Sequence, residues 1–366
     1  MSKTAKWIVA IIVIILIIAG VWYWQTRSGA SLPAGERSTI TIGATLPLSG
    51  NLAFLGEPYK NAMLLALDKA MSNPDLKYNY KIVFEDDQFD PTKGVTAVNK
   101  LISIDKVDAL TSFGSPVGSA IAPIAEQNKI THLNGIASDP SVAVGDYNFV
   151  HWTPPYEEVD VLLSEFEKRG IKNVVLFEQN MAGALALANS FRDKVGGTGV
   201  NIVATESYNS DVRDFRTSIQ KVKGLQADAY LLLLASPQLE ILAKQIQEAG
   251  IEMPLTTIEG FMFTDQPELF TGLWYVAPAD MQQWFVDEFT TKYGSAPKLG
   301  GGNGYDAVTL LVSAFEEAGN GKTKPTEQAV QKALAKVKNF SGAMGEGLSV
   351  DSSGLIVTKA LIKTVE

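Results

Sequence analysis

The sequence predicts an α/β protein with two mostly parallel-sheeted lobes behind an N-terminal membrane span. Three observations carry this reading. Apolar runs at strand period alternate with runs at helical period through most of the chain, and parallel strands need crossover helices of this kind. The alternation starts afresh after His151-Trp152-Thr153-Pro154-Pro155, so that two βα series of similar length stand side by side. Residues 7–24, WIVAIIVIILIIAGVWYW, form an uncharged apolar run of about the length that crosses a bilayer as a helix.

The run follows Lys3 and Lys6 and precedes Gln25, Thr26 and Arg27. Its length and its aromatic end favour an uncleaved anchor (residues 1–27) with the N-terminus inward; Ser28-Gly29-Ala30 is the candidate cleavage site of the alternative, a removed signal peptide. In either case the remainder is exported. SGASLPAGERS, residues 28–38, reads as a tether. ITIGATLPL (40–48) is a buried strand, YKNAMLLALDKAM (59–71) a helix, YKIVFEDD (80–87) a strand and DPTKGVTAVNKLI (90–102) a helix capped by Asp90 with Pro91 at its first position. VDALTSF, SAIAPIAEQ and ITHLNGIA continue the pattern. The second series comprises a helix closed by Gly170, a strand at 173–180, a helix at 183–195, and further alternation down to the strand PLTTIEG (254–260). Two more helices follow, MQQWFVDEFTTKYG and YDAVTLLVSAFEEAGN, and GLSVDSSGLIVTKALIKTVE closes the chain as a hairpin.

Composition narrows the function. A net charge of −9, a pI near 5.0 and the absence of any basic cluster argue against nucleic acid as a partner. There is no cysteine, which excludes disulfides, thiolate metal sites and lipid attachment through an N-terminal cysteine. His132 and His151 are the only histidines, too few for a His-based metal centre and little material for a Ser-His-Asp triad. No cofactor or metal is expected; Asp86, Asp87 and Asp90 are a candidate cation cluster that reads better as loop and capping acids.

In open α/β sheets ligands sit beyond the carboxyl ends of the strands, where loops feed helix N-termini. FGSPVGSA (113–120) and IASDPSV (136–142) both lie at such corners. Ser115 and Ser138 are therefore candidate ligand hydroxyls, against the simpler reading that each caps its own helix. Glu259 ends a strand of the second series, and read from its place alone it is a solvated loop acid.

The chain resembles the type I periplasmic solute-binding proteins of branched-chain amino acid import, the leucine/isoleucine/valine-binding group. The resemblance runs over most of residues 39–366 and is carried by IGATLPLSGNLAFLGEPYKNA, FEDDQFDPTKGVTAVNKLI, SFGSPVGSAIAPIAEQNKI and GYDAVTLLVSAFEEAG in that order. It implies two Rossmann-like lobes joined by three hinge crossovers near Thr153, Pro278 and Met344. Lobe 1 is then 39–153 plus 279–343, and lobe 2 is 154–278 plus 344–366. It also implies an amino acid held by its carboxylate at Ser115, Ala137 and Ser138 and by its ammonium at Glu259, with hinge closure and delivery to ABC permease and ATPase subunits. The chain departs from the group's pattern at Leu55, beside Phe54, and at Ala182, where aromatic rings are usual. Both positions are expected in a widened cleft, with Phe261 and Phe263 available to refill it. The alternative is a sensor whose signal passes to a membrane partner such as a kinase. An enzyme is disfavoured because no GxSxG, phosphate loop or metal-ligand spacing occurs.

Overall fold

The computed structural model describes residues 37–366. The apolar run 7–24 and most of the tether lie outside the described residues, among which no helix is long and apolar enough to cross a membrane. The first series runs β1 (Thr39–Leu46), α1 (Ala53–Met71), β2 (Asn79–Asp86), α2 (Pro91–Ser103), β3 (Ala109–Phe113), α3 (Ser115–Asn128), β4 (His132–Gly135) and β5 (Asn148–Trp152). The second runs α4 (Pro155–Arg169), β6 (Asn173–Gln179), α5 (Ala182–Val195), β7 (Asn201–Tyr208), α6 (Arg216–Val222), β8 (Ala229–Leu233), α7 (Gln238–Glu248), β9 (Leu255–Thr256) and β10 (Trp274–Pro278). The chain then returns through α8 (Gln283–Tyr293), α9 (Gly301–Ala318), α10 (Glu327–Ala335) and the short strands β11 (Phe340–Gly342), β12 (Gly345–Leu348), β13 (Leu355–Val357) and β14 (Ala360–Thr364).

Lobe 1 is built on a parallel sheet of order β13-β5-β4-β3-β1-β2. Lobe 2 has a parallel sheet of order β7-β6-β8-β9, continued through an Ile258–Val276 bridge by the antiparallel pair β10–β14. Both sheets are covered on both faces, so strands such as β3, β4 and β8 are buried along their whole length and period 2 only sorts residues between two cores. In β6, Val174 and Leu176 pack with Phe166 and Phe191 of α4 and α5, while Val175 and Phe177 pack with Ile219 and Leu242 of α6 and α7. Asp90 caps α2 through the N–H groups of Thr92 and Lys93, at 2.8 and 3.0 Å, with Pro91 opening the helix as its fixed φ allows.

The C-terminus differs from the expected hairpin of lobe 2. Leu355-Ile356-Val357 add to the open edge of β5 in the lobe 1 sheet, because that edge offers unpaired backbone groups and the three residues can bury Leu355 and Ile356 there. Only β14 belongs to lobe 2, so the third passage falls at Thr358–Lys359 rather than near Met344. The other two passages run through Thr153 and just beyond Pro278. The three are tied together: the Thr153 and Thr358 hydroxyls lie 2.6 Å apart, and the Ala279 N–H donates to the Lys359 carbonyl at 2.8 Å. Beside them His151 and Asp306 form a buried pair at 3.0 Å, whose carboxylate also receives the N–H groups of Ala343 and Met344.

Candidate functional site

At the end of β3 the chain turns through Gly114, at φ 78°, where an added Cβ would stand 2.5 Å from the Phe89 ring. Only glycine permits both the positive φ and that approach. Ser115 then opens α3, but its hydroxyl does not cap the helix. It accepts the Asp139 N–H at 3.1 Å, which ties the two serine corners together. Nor does Ser138 cap: Asp139 accepts the Ser141 N–H at 2.9 Å, leaving the Ser138 hydroxyl to donate across to Glu259 Oε2 at 2.6 Å. The other Glu259 oxygen accepts the indole N–H of Trp152, from the end of β5.

Ser115, Ser138 and Glu259 line one cavity of about 70 Å³ between the lobes. That is roughly five times the ~10–15 Å³ one water needs. Its wall is mostly apolar and includes Leu52, Phe89, Ile136, Met181, Leu233 and Phe263. Three lining residues, Phe89 (φ 60°), Ile136 (φ 58°) and Glu259 (φ 62°), sit in the left-handed region although none is glycine. Each costs about 1–3 kcal/mol, and strain of this kind gathers where a side chain must be aimed.

The other expected site residues stand differently. Ala137 is buried next to Ser138 without lining the cavity. Leu55 lies in the lobe 1 core, because α1 begins at Ala53 and turns that face inward; Leu52 lines the cavity instead. Ala182 opens α5 but does not line the cavity, whereas Met181 and Gly183 on either side do. Of the two phenylalanines after Glu259, Phe263 reaches the cavity, and Phe261 stacks on Phe270 at 4.4 Å in the lobe 2 core. Asp86 accepts the Leu48, Ser49 and Gln88 N–H groups, and Asp87 accepts from the Thr45 hydroxyl and the Phe89 N–H. These acids shape the loop that delivers Phe89. Among the described residues no group of three or more histidines, aspartates and glutamates is placed to hold a metal.

Sequence reasoning passed over Phe89, Trp152, Gly183 and Glu158. The DDQFDP run was the available signal for Phe89, since closely spaced turn acids mark a constrained loop. Glu158, on the first turn of α4, is fully buried and faces the Glu259 carboxyl. Burial pushes the Glu158 carboxyl well above the usual range, and the nearby Glu259 charge adds to the rise. Burial also raises Glu259, against the opposing pull of its hydrogen bonds from Ser138 and Trp152. No lysine, arginine or histidine lines the cavity. The site is therefore a small apolar chamber with hydroxyls and a helix N-terminus on one wall and an acid on the other, suited to a ligand carrying a positive group.

A hydroxyl–imidazole pair does exist elsewhere. Ser112 Oγ and His132 Nε2 are 2.8 Å apart, and His132 Nδ1 is 2.8 Å from Asn148. All three are buried within the lobe 1 sheet and none lines the cavity, so the relay links β3, β4 and β5 as a structural network.

Residues 39–362 match the model of the periplasmic binding protein family. The chain belongs to that family. It is 22% identical to the Leu/Ile/Val-binding protein BraC3 of Rhizobium johnstonii over 325 residues, covering 84% of this chain and 86% of the relative. The isoleucine complex of LivJ from Streptococcus pneumoniae is similar with a TM-score of 0.78 at 24% identity, covering 89% of this chain and 96% of that one. A solute-binding protein of an R. palustris ABC transporter, solved with benzoate, has a TM-score of 0.78 at 19% identity, with 90% and 94% covered. At these identities the structural likenesses establish a shared fold.

Proposed function

We propose that this binding protein captures an amino acid or a closely related small zwitterion by closing its lobes, and delivers it to the permease and ATPase of an ABC importer at the extracytoplasmic face of the membrane, tethered by residues 7–24. The convergence of Ser115 and Ser138 from one lobe with Glu259 from the other on a single cavity carries this reading. The ligand carboxylate sits against the two hydroxyls and the α3 N-terminus, where partial positive charge favours an anion. Its ammonium replaces Ser138 at Glu259, and closure is driven by contacts that exist only when both lobes engage the ligand. Relatives named for leucine, isoleucine and valine support this choice. A plain aromatic carboxylate such as the benzoate of one neighbour fits less well, because it would bring an anion to Glu259 with no cation in the lining to offset it.

Thermal-shift screening of the full-length protein in detergent against amino acids, small amides and aromatic acids identifies the ligand, since binding to the native state alone raises the melting temperature. Glu259→Ala then abolishes calorimetric binding of the amino acid found. Unchanged affinity in that variant removes Glu259 from the site, and a hit confined to aromatic acids overturns the amino acid reading.

A further inference from the structure

Glu158 is a buried acid that recognition of a zwitterion does not by itself require. Its side chain is fully enclosed, and apart from the Glu259 carboxyl it faces, neither of its oxygens has a hydrogen-bond partner. Resting on the amino acid reading above, we propose that Glu158 is a positioning residue of the cleft: a neutral carboxylic acid whose proton is shared with Glu259, so that Glu259 meets the ligand's cation as a single, fixed anion.

Two adjacent carboxyls removed from water do not both ionise. Which one keeps the proton follows from the donors around them. Glu259 receives the Ser138 hydroxyl and the Trp152 indole N–H, both of which favour its charged form; Glu158 receives neither. The N-terminal end of α4 favours an anion at Glu158 by up to ~2 kcal/mol. That is less than the several kcal/mol needed to bury a bare carboxylate, so the helix does not reverse the assignment. Cations on the elements packed around α4 are engaged elsewhere: Arg192 and Lys194 of α5 with Glu178 and Asp160, Lys363 of β14 with Asp280, and Lys168 and Arg169 of α4 itself with Glu165. The remaining nearby acids, Glu157 and Asp193, are at least partly exposed to solvent. The anion at Glu259 is thus left for the ligand, and acidification that protonates it as well as Glu158 weakens binding.

The test uses full-length protein and the variants Glu158→Gln and Glu158→Leu. Infrared difference spectra of wild type against Glu158→Gln are taken at about pH 8, above the range in which Asp87, raised to about 6, holds its proton. The expected result is a carbonyl stretch of a protonated carboxylic acid in wild type that Glu158→Gln removes. L-leucine is the binding probe. Glu158→Gln, which still offers a donor to Glu259, keeps its affinity within about threefold, whereas Glu158→Leu loses about 10- to 100-fold, the worth of a hydrogen bond to a charged group. Absence of the acid band in wild type, its survival in Glu158→Gln, or equal loss of affinity in the two variants overturns the proposal. The infrared measurement needs no ligand, so failure of wild type to bind L-leucine counts against the choice of ligand while the band still decides Glu158.

Discussion

Gly183 offers a direct perturbation of closure. It is the second residue of α5 in lobe 2, and a Cβ added there would lie 3.0 Å from the Ser115 hydroxyl and 3.6 Å from the Ser138 Cβ, both in lobe 1. The two carbon contacts, to the Ser115 and Ser138 Cβ atoms, are ordinary in length, but at 3.0 Å the Ser115 oxygen is too close and must give by a few tenths of an ångström. The Ser115 hydroxyl yields poorly because it holds the Asp139 N–H. The backbone of Gly183 has no positive φ, so the substitution strains nothing inside lobe 2 and acts only where the lobes meet. Overpacking of this size costs about 1–3 kcal/mol, or roughly 5- to 150-fold in affinity, with Gly183→Ala at the low end and Gly183→Val at the high end. In the helix itself Gly→Ala gains up to ~1 kcal/mol. Affinity and thermal stability should therefore move in opposite directions in Gly183→Ala. Calorimetry with the amino acid found by screening, a thermal melt, and small-angle scattering with and without ligand measure the three consequences. Variants that bind as tightly as wild type and contract equally on ligand addition would refute the assignment of this contact to the bound state.

Two further perturbations test the framework around the cleft. Asp306→Ala strips the partner from His151 and from the Ala343 and Met344 N–H groups, so chemical denaturation should show a loss of about 3–5 kcal/mol. A loss below about 1 kcal/mol would mean that this buried pair does not hold α9 to β5. Burial raises the Asp87 carboxyl to about 6. An acid raised by folding stabilises the fold fully below its unfolded value near ~4, and that contribution disappears as pH climbs through the folded value. Wild type should lose stability relative to Asp87→Asn between about pH 4 and pH 7 in paired thermal melts, and parallel curves would show that Asp87 does not carry the effect.

The alternation of strand and helix periods was legible because it is local: each run reports only which of its own faces meets a core, and the two parallel sheets follow from the need for crossovers. Asp90-Pro91 marked a helix start for the same reason, since cap and helix are neighbours in the chain. Ser115 and Ser138 were accessible from their places at strand ends, where α/β sheets present ligands, whereas Glu259 was singled out only by the family resemblance. Tertiary structure decided the rest. Leu55 and Leu52 are equally apolar, and only the packing of α1 against lobe 1 selects Leu52 for the cavity. Leu355-Ile356-Val357 suit any open sheet edge, and the choice of β5 depended on which edge the finished lobes left free. Gly183 opposite Ser115, and Glu158 against Glu259, are juxtapositions of segments far apart in the chain. A sequence records the chemistry of each partner, but the low dielectric that makes two carboxyls share a proton exists only after folding has removed the water between them.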